Sequence, residues 1–131
     1  FDISARGFRP ENRASFFWGK TWDTFGPMGP SIVTADEIKD PMNINVRGYI
    51  NGDVYQDYPT SDMANDIPRI IEWVTWILTL KPGDIIATGT PNGAGARFDP
   101  PKYLKQGDVV EVEVPGIGTL CNRVETENPD G

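Results

Sequence analysis

A lysine and an aspartate near the start of the chain are well suited to chemistry. Lys20 stands between Gly19 and Thr21 beside aromatic residues, where a partly desolvated ammonium could face an anionic ligand. A solvated surface lysine is the ordinary alternative. Asp2 precedes Arg6 closely in sequence and can bind a metal ion, cap a turn or pair with Arg6. The cap and the ion pair are the more common roles for such a residue.

A glycine-rich loop, GTPNGAG over residues 89–95, follows the apolar run IIAT at 85–88. A loop of this kind after a buried strand places backbone N–H groups at the end of a sheet, where they can bind an anion. It lacks the Lys-Ser/Thr pair of a Walker loop, and prolines follow where a dinucleotide-binding fingerprint would begin a helix. The composition of the loop favours the alternative interpretation, a tight surface turn.

The residue types narrow the chemistry further. The 131 residues include no histidine, so this chain holds no Ser-His-Asp triad, histidine base or histidine metal site. The single cysteine, Cys121, rules out an intrachain disulfide and a thiolate zinc cluster. Ligand chemistry must therefore use carboxylates, Lys, Arg, hydroxyls and backbone amides. If a metal is bound, oxygen ligands of this kind indicate a hard ion such as Mg²⁺, Mn²⁺ or Ca²⁺.

The charge balance excludes several classes of partner. Twelve basic and 19 acidic side chains give a net charge of −7. Such a chain lacks the basic surface that holds nucleic acid or anionic lipid. No apolar run approaches the ~20 residues that cross a bilayer, and no basic-then-apolar leader opens the sequence. We expect a cytoplasmic location, no nucleic acid and no membrane.

The elements that must position these residues are mainly β. Gly and Pro together make 26 of the 131 residues, which suits short strands joined by tight turns. Alternating apolar residues lead into Asn51-Gly52 and back out over 54–58, which predicts a β-hairpin with a type I′ turn. Short strands are also predicted at 31–34, 85–88, 109–114 and 119–124.

One amphipathic helix is predicted at 67–78, because isoleucine, valine and leucine recur there every three or four residues. Asp66 suits the N-cap, Pro68 suits the first turn, and the KPGD sequence at 81–84 should end the helix. The length predicts one domain, or part of a larger one, over 1–124, with an acidic, frayed tail at 125–131.

Several motifs, in order, resemble the fumarylacetoacetate hydrolase family through nearly the whole chain. They are DISAR (2–6), GKTWDTFGPMGP (19–30), NG (51–52), TSDM (60–63), LKPGDIIATGTP (80–91), KQGDVV (105–110) and GIGTL (116–120). The resemblance implies a mixed β-sandwich roll of the family's C-terminal type, with the N-terminal part absent. It also implies a homodimer.

The resemblance implies an enzyme acting on a 2-oxo acid or its enol. Family members hydrolyse acylpyruvates or fumarylacetoacetate, decarboxylate oxaloacetate, isomerise hydroxymuconate-type diacids or dehydrate sugar acids, usually with an Mg²⁺-type ion. Such reactions build negative charge on oxygen, which a divalent ion and a lysine stabilise without histidine.

The resemblance also assigns roles by position. Asp2 matches a metal carboxylate, Lys20 the lysine facing the metal and substrate oxygens, and Arg6 an arginine that supports the site or substrate. Thr90, with the Gly89 backbone, matches the residue that binds the substrate carboxylate.

This sequence departs from the family pattern in two ways. Gly7 and Arg9 stand where an Asp and a Gln are common, and Arg9 either binds a distal carboxylate or faces solvent. The family's Glu-x-Glu metal ligands would come before Asp2, and one carboxylate alone holds Mg²⁺ weakly. The alternative to an enzyme is therefore a truncated, inactive relative that serves as a structural or binding module.

Overall fold

Four strands and two helices make up the described part of this chain. The computed structural model describes residues 1–6 and 16–127. In chain order the elements are α1 (Phe16–Lys20), β1 (Asn45–Ile50), β2 (Asp53–Pro59), α2 (Ile67–Thr75), β3 (Val109–Val114) and β4 (Gly118–Arg123), with single 3-10 turns at Thr60–Asp62 and Gly95–Arg97. The strands form an antiparallel sheet in the order β2-β1-β3-β4. The predicted mainly β class with one or two helices is confirmed.

The predicted hairpin is present and its turn has the expected geometry. Asn51 and Gly52 both have positive φ, at 53° and 85°, which is the requirement of a type I′ turn. The strands that this turn joins are not fully regular. Gly48 pairs with Gln56 and Tyr49 pairs with Val54, so Tyr55 is an extra residue that forms a bulge in β2.

The hairpin turn is also fastened to β3. The Val109 N–H donates to Asn51 Oδ1 at 2.8 Å, and Asn51 Nδ2 donates to Asp108 Oδ1 at 2.9 Å. The Asn51 N–H donates to the Val109 carbonyl at 2.8 Å. The side chain of Asn51 therefore connects the β1–β2 turn to the start of β3.

The predicted helix forms with the predicted cap but is shorter than expected. The Arg69 N–H donates to Asp66 Oδ1 at 2.8 Å, and proline occupies the first turn. The helix ends at Thr75, several residues before the KPGD sequence. The Thr75 hydroxyl donates back to the carbonyl of Ile71, and such bonds from a β-branched residue weaken the helical ladder.

Two predicted strands are wrong. Residues 31–34 and 85–88 have no strand hydrogen bonding in the described part of the chain, and Ile32 and Ile85 are 96% and 68% exposed. β-branched residues favour a strand only where a neighbouring strand pairs with them. Among the described residues, the sheet provides no partner for either segment.

Little apolar surface is covered. Val110, at 3% exposure, is the one buried large apolar side chain in the described part of the chain. The chain exposes 10364 Å², whereas a compact monomer of 14.5 kDa exposes about 6900 Å². The exposed apolar side chains include Ile71, Trp73, Trp76, Ile77 and Leu78, in and after α2. No helix among the described residues is long and apolar enough to span a membrane.

Candidate functional site

Lys20 joins two residues of the N-terminal segment. Its Nζ donates to Asp2 Oδ2 at 2.6 Å and to Ser4 Oγ at 2.9 Å. Side-chain exposure is 32% for Lys20 and 56% for Asp2, so the pair is open to solvent on one side. An ammonium has three donor protons, and these two bonds use two of them. The third proton is available to an oxygen of a ligand.

Backbone contacts place these three residues beside one another. The Ala5 N–H donates to the Gly19 carbonyl at 2.8 Å, which holds the segment 1–6 against the C-terminal end of α1. Gly19 is buried, and a Cβ there would lie 3.0 Å from the Ala5 carbonyl oxygen. The glycine before Lys20 therefore permits the close approach that brings Lys20 to Asp2 and Ser4.

Asp2 and Lys20 form an ion pair that a ligand can rearrange. Ion pairs of this exposure contribute little to stability, on the order of 0–1 kcal/mol, because water screens them. The Asp2 carboxylate and the Lys20 ammonium can therefore exchange partners when a cation or an anionic substrate approaches. Of the alternatives considered for Asp2, the ion pair with Arg6 is not formed, because the Asp2 carboxylate pairs with Lys20.

Arg6 does not join this cluster. Arg6 is exposed and forms no ion pair within the described part of the chain. Arg9 and Gly7 lie outside the described residues, so the expectation for Arg9 stays a prediction.

Thr90 belongs to a second cluster, in the loop that follows residues 85–88. Gln56 Nε2, from β2, donates to Thr90 Oγ1 at 2.8 Å and to the Asn92 carbonyl at 3.1 Å. Gly89 and Gly93 have φ of 99° and 102°, so both bends of the loop use backbone conformations that favour glycine. Gly89 and Thr90 are exposed, with the Thr90 hydroxyl open to a ligand.

Two residues that hold these clusters together were not predicted. Ser4 is an acceptor for Lys20, and Gln56 is a donor to Thr90. For Ser4 the available signal was its position two residues after Asp2, because alternate residues of an extended segment lie on one side. No pattern in the sequence links Gln56 to Thr90.

The described residues do not by themselves make a site for Mg²⁺. Asp2 and Ser4 offer one carboxylate and one hydroxyl, and no group of three His, Cys, Asp or Glu side chains within residues 1–6 and 16–127 is placed to hold a metal ion. A hard divalent ion needs several fixed oxygen ligands. The oxygen ligands of Asp2 and Ser4 suit such an ion chemically, but two ligand groups are too few to hold it.

The chain belongs to the fumarylacetoacetate hydrolase family. The family profile "Fumarylacetoacetate (FAA) hydrolase C-terminal" matches residues 1–125. Among curated relatives, "Oxaloacetate tautomerase Fahd2a, mitochondrial" of Rattus norvegicus is 42% identical over 123 residues, which are 94% of this chain and 39% of that protein. This chain thus spans about two fifths of the length of that relative.

Solved structures show the same fold. A 5-carboxymethyl-2-hydroxymuconate delta-isomerase from Mycobacterium smegmatis is 40% identical with a TM-score of 0.81, covering 97% of this chain and 46% of its own. A maleylpyruvate hydrolase from Sphingobium sp. SYK-6, in complex with manganese (II) ion and pyruvate, is 36% identical with a TM-score of 0.77, covering 85% of this chain and 39% of its own. The resemblance inferred from the motifs is confirmed.

Proposed function

We propose that this chain carries catalytic residues of an enzyme that acts on a small 2-oxo acid through its enol. Keto–enol isomerisation of a 2-oxo dicarboxylate such as oxaloacetate is the first reaction to test. The observation that carries the proposal is the Lys20 ammonium, held by Asp2 and Ser4 with one donor proton left for a ligand. The names of the relatives, a tautomerase, a hydrolase and an isomerase, support this substrate class.

Lys20 would act on the charge that develops during the reaction. When a proton leaves the carbon next to a carbonyl, negative charge grows on the carbonyl oxygen. A positioned ammonium stabilises that oxygen more strongly in the transition state than in the ground state, which lowers the barrier. Because Asp2 and Ser4 hold Nζ from two directions, little reorganisation is needed when the oxyanion forms.

Thr90 would hold the substrate by its carboxylate. Its exposed hydroxyl can donate to a carboxylate oxygen, with the Gly89 backbone beside it. Arg6, and Arg9 at the position where relatives commonly have glutamine, would support the site or a second carboxylate of a diacid. Binding at a group remote from the reacting carbon fixes orientation in ground and transition states alike.

A divalent ion completes the proposed site. Asp2 would be one of its ligands, and its other ligands would lie outside the described residues. When bound, Mg²⁺, Mn²⁺ or Ca²⁺ would supply positive charge that stabilises the developing oxyanion. The manganese in the maleylpyruvate hydrolase structure supports a divalent ion in this family.

Carbon–carbon hydrolysis and decarboxylation use the same enolate chemistry, so we propose them as the next reactions to assay. We further propose a homodimer in the cytoplasm. The exposed apolar side chains in and after α2 offer apolar surface that a second subunit could cover. Sedimentation of the full-length protein at micromolar concentration should show a dimer, and a monomer alone would contradict this proposal.

The test is enol-to-keto conversion of oxaloacetate by the full-length protein. The loss of enol absorbance measures the rate. Rates should rise with added Mg²⁺ or Mn²⁺ and fall to the uncatalysed rate with a chelator. Acylpyruvate and hydroxymuconate substrates should be run in parallel. No metal-dependent turnover of any of these acids would support the alternative, an inactive structural or binding module.

A further inference from the structure

Gln56 is placed to control the Thr90 hydroxyl. Its Nε2 lies 2.8 Å from Thr90 Oγ1, 3.1 Å from the Asn92 carbonyl and 3.5 Å from the Pro91 carbonyl. All three acceptors belong to the glycine-rich loop, although Gln56 belongs to β2. A single side chain of the sheet therefore holds the loop that carries the proposed carboxylate contact.

The bulge in β2 explains why Gln56 reaches this loop. Tyr55 is the extra residue of the bulge, and Gln56 pairs with Gly48. Tyr55 packs at 5.5 Å between ring centroids against Phe98, which follows the same loop. Two consecutive residues of β2 thus contact one segment, whereas a regular strand would direct them to opposite faces.

Glycines on both sides leave room for the Gln56 side chain. A Cβ at Gly48 would lie 3.4 Å from Gln56 Oε1, and a Cβ at Gly93 would lie 2.8 Å from Gln56 Cγ. The Gly93 Cβ would also overlap the Tyr55 carbonyl oxygen. Any side chain at Gly93 would separate the loop from β2, so the contact between Gln56 and the loop requires this glycine.

The hydrogen-bond directions decide what Thr90 can do. A backbone carbonyl only accepts, so the amide nitrogen of Gln56 must face Asn92. The same nitrogen then donates to Thr90 Oγ1, and the hydroxyl accepts that bond. A hydroxyl has one proton, which is therefore directed to another acceptor.

We propose that Gln56 is a positioning residue that makes the Thr90 hydroxyl a donor to a ligand carboxylate. The inference rests on the proposed function, in which Thr90 binds the substrate carboxylate. Gln56 itself does not touch the substrate. It fixes the loop through Asn92 and directs the hydroxyl proton of Thr90 toward solvent, where the carboxylate binds.

The test is the dissociation constant of pyruvate for the full-length protein with Mn²⁺ present, measured by calorimetry. Gln56→Met keeps the length of the side chain and removes the donor, and it should weaken binding about 3- to 10-fold. Gln56→Glu should weaken binding more than Gln56→Met, because its carboxylate accepts the Thr90 proton and faces the Asn92 carbonyl. Gln106→Met is the matched control, since Gln106 bonds to Thr126 and not to the loop, and it should bind pyruvate like wild type.

Two further variants separate positioning from general loop structure. In a Thr90→Val background, Gln56→Met should add less than about twofold, because its effect passes through the missing hydroxyl. Three results would each overturn the proposal. Gln56→Met could weaken pyruvate binding by the same factor in the wild-type and Thr90→Val backgrounds, Gln56→Glu could bind pyruvate as well as Gln56→Met, or wild type could fail to bind pyruvate. If wild type binds pyruvate with these dependences but turns over no 2-oxo acid, the proposed function fails and the role of Gln56 stands.

If the Gln56 variants fail to fold, an NMR measurement that leaves Gln56 unchanged tests the same contact. The side-chain amide resonances of Gln56 should shift in Thr90→Val and stay in place in Thr119→Val, a change at an exposed position of β4. Unshifted resonances in Thr90→Val would overturn the proposal.

Discussion

Lys20 Nζ bonds to Asp2 Oδ2 at 2.6 Å, across 18 residues of sequence. The same nitrogen bonds to Ser4 Oγ at 2.9 Å, so Lys20 contacts two alternate residues of the segment 1–6. This contact brings a cation, a carboxylate and a hydroxyl together at one nitrogen. This relationship defines the candidate site and leads to the first prediction.

Ser4→Ala should lower kcat by about 3- to 10-fold while the melting temperature changes little. Removing one acceptor of a partly exposed ammonium leaves Lys20 free to adopt other rotamers, a loss smaller than that of a buried charged hydrogen bond. Ser61→Ala, in the exposed 3-10 turn after β2, is the matched control. Equal kcat values for the two variants would show that Ser4 does not position Lys20.

Thr90→Val should raise KM about tenfold and leave kcat within about twofold, because a carboxylate contact made equally in ground and transition states affects binding alone. Thr90→Ser should restore KM, since it keeps the hydroxyl that Gln56 contacts. Steady-state kinetics with oxaloacetate measure both constants. A fall in kcat with unchanged KM would place Thr90 at the reacting centre instead.

Local features of this fold could be predicted from sequence, and contacts between distant segments could not. The Asn51-Gly52 turn and the Asp66 cap depend on residues within a few positions of each other. Residues 85–88 have the composition of a strand, but a strand must pair with a second one. Among the described residues no strand pairs with this segment, and its composition could not reveal that.

The site shows the same division. The motifs named Lys20, Asp2 and Thr90 through resemblance, and their chemical types fitted the proposed reaction. The bond between Gln56 and Thr90 joins residues 34 positions apart and depends on a bulge, which no alternation of residue types reveals. A contact of this kind can be found only in the folded structure.

Asn51→Ala should destabilise the full-length protein by about 2 kcal/mol in urea unfolding. Alanine at positive φ costs about 1 kcal/mol, and the side-chain bonds to Val109 and Asp108 are lost. Asn51→Gly removes the same bonds without the backbone strain, so it should be the milder change. Equal losses for the two variants would contradict the role assigned to the positive φ.

The Asp108 carboxylate should make stability fall in acid. The side-chain bond from Asn51, and then the backbone N–H of Lys105, hold the pKa of Asp108 below its usual value of 3.8. A group whose pKa is lower in the folded state stabilises the protein above the unfolded pKa, and this contribution is lost as pH falls through the folded pKa. The difference in melting temperature between wild type and Asp108→Asn should therefore be constant above about pH 5 and shrink below about pH 4. A difference that stays constant down to pH 2 would contradict this assignment.

Lys20→Met tests the central claim most directly. Steady-state turnover of oxaloacetate by the full-length protein with Mn²⁺ should fall about 10²- to 10³-fold, because one positioned charge at a developing oxyanion is lost. Lys20→Arg should also lose turnover, since a forked guanidinium cannot replace a compact ammonium between Asp2 and Ser4. Lys39→Met, at an exposed loop position, should retain wild-type turnover, and all three proteins should melt within a few degrees of wild type. Turnover of Lys20→Met within about threefold of wild type would remove Lys20 from the catalytic site and contradict the account.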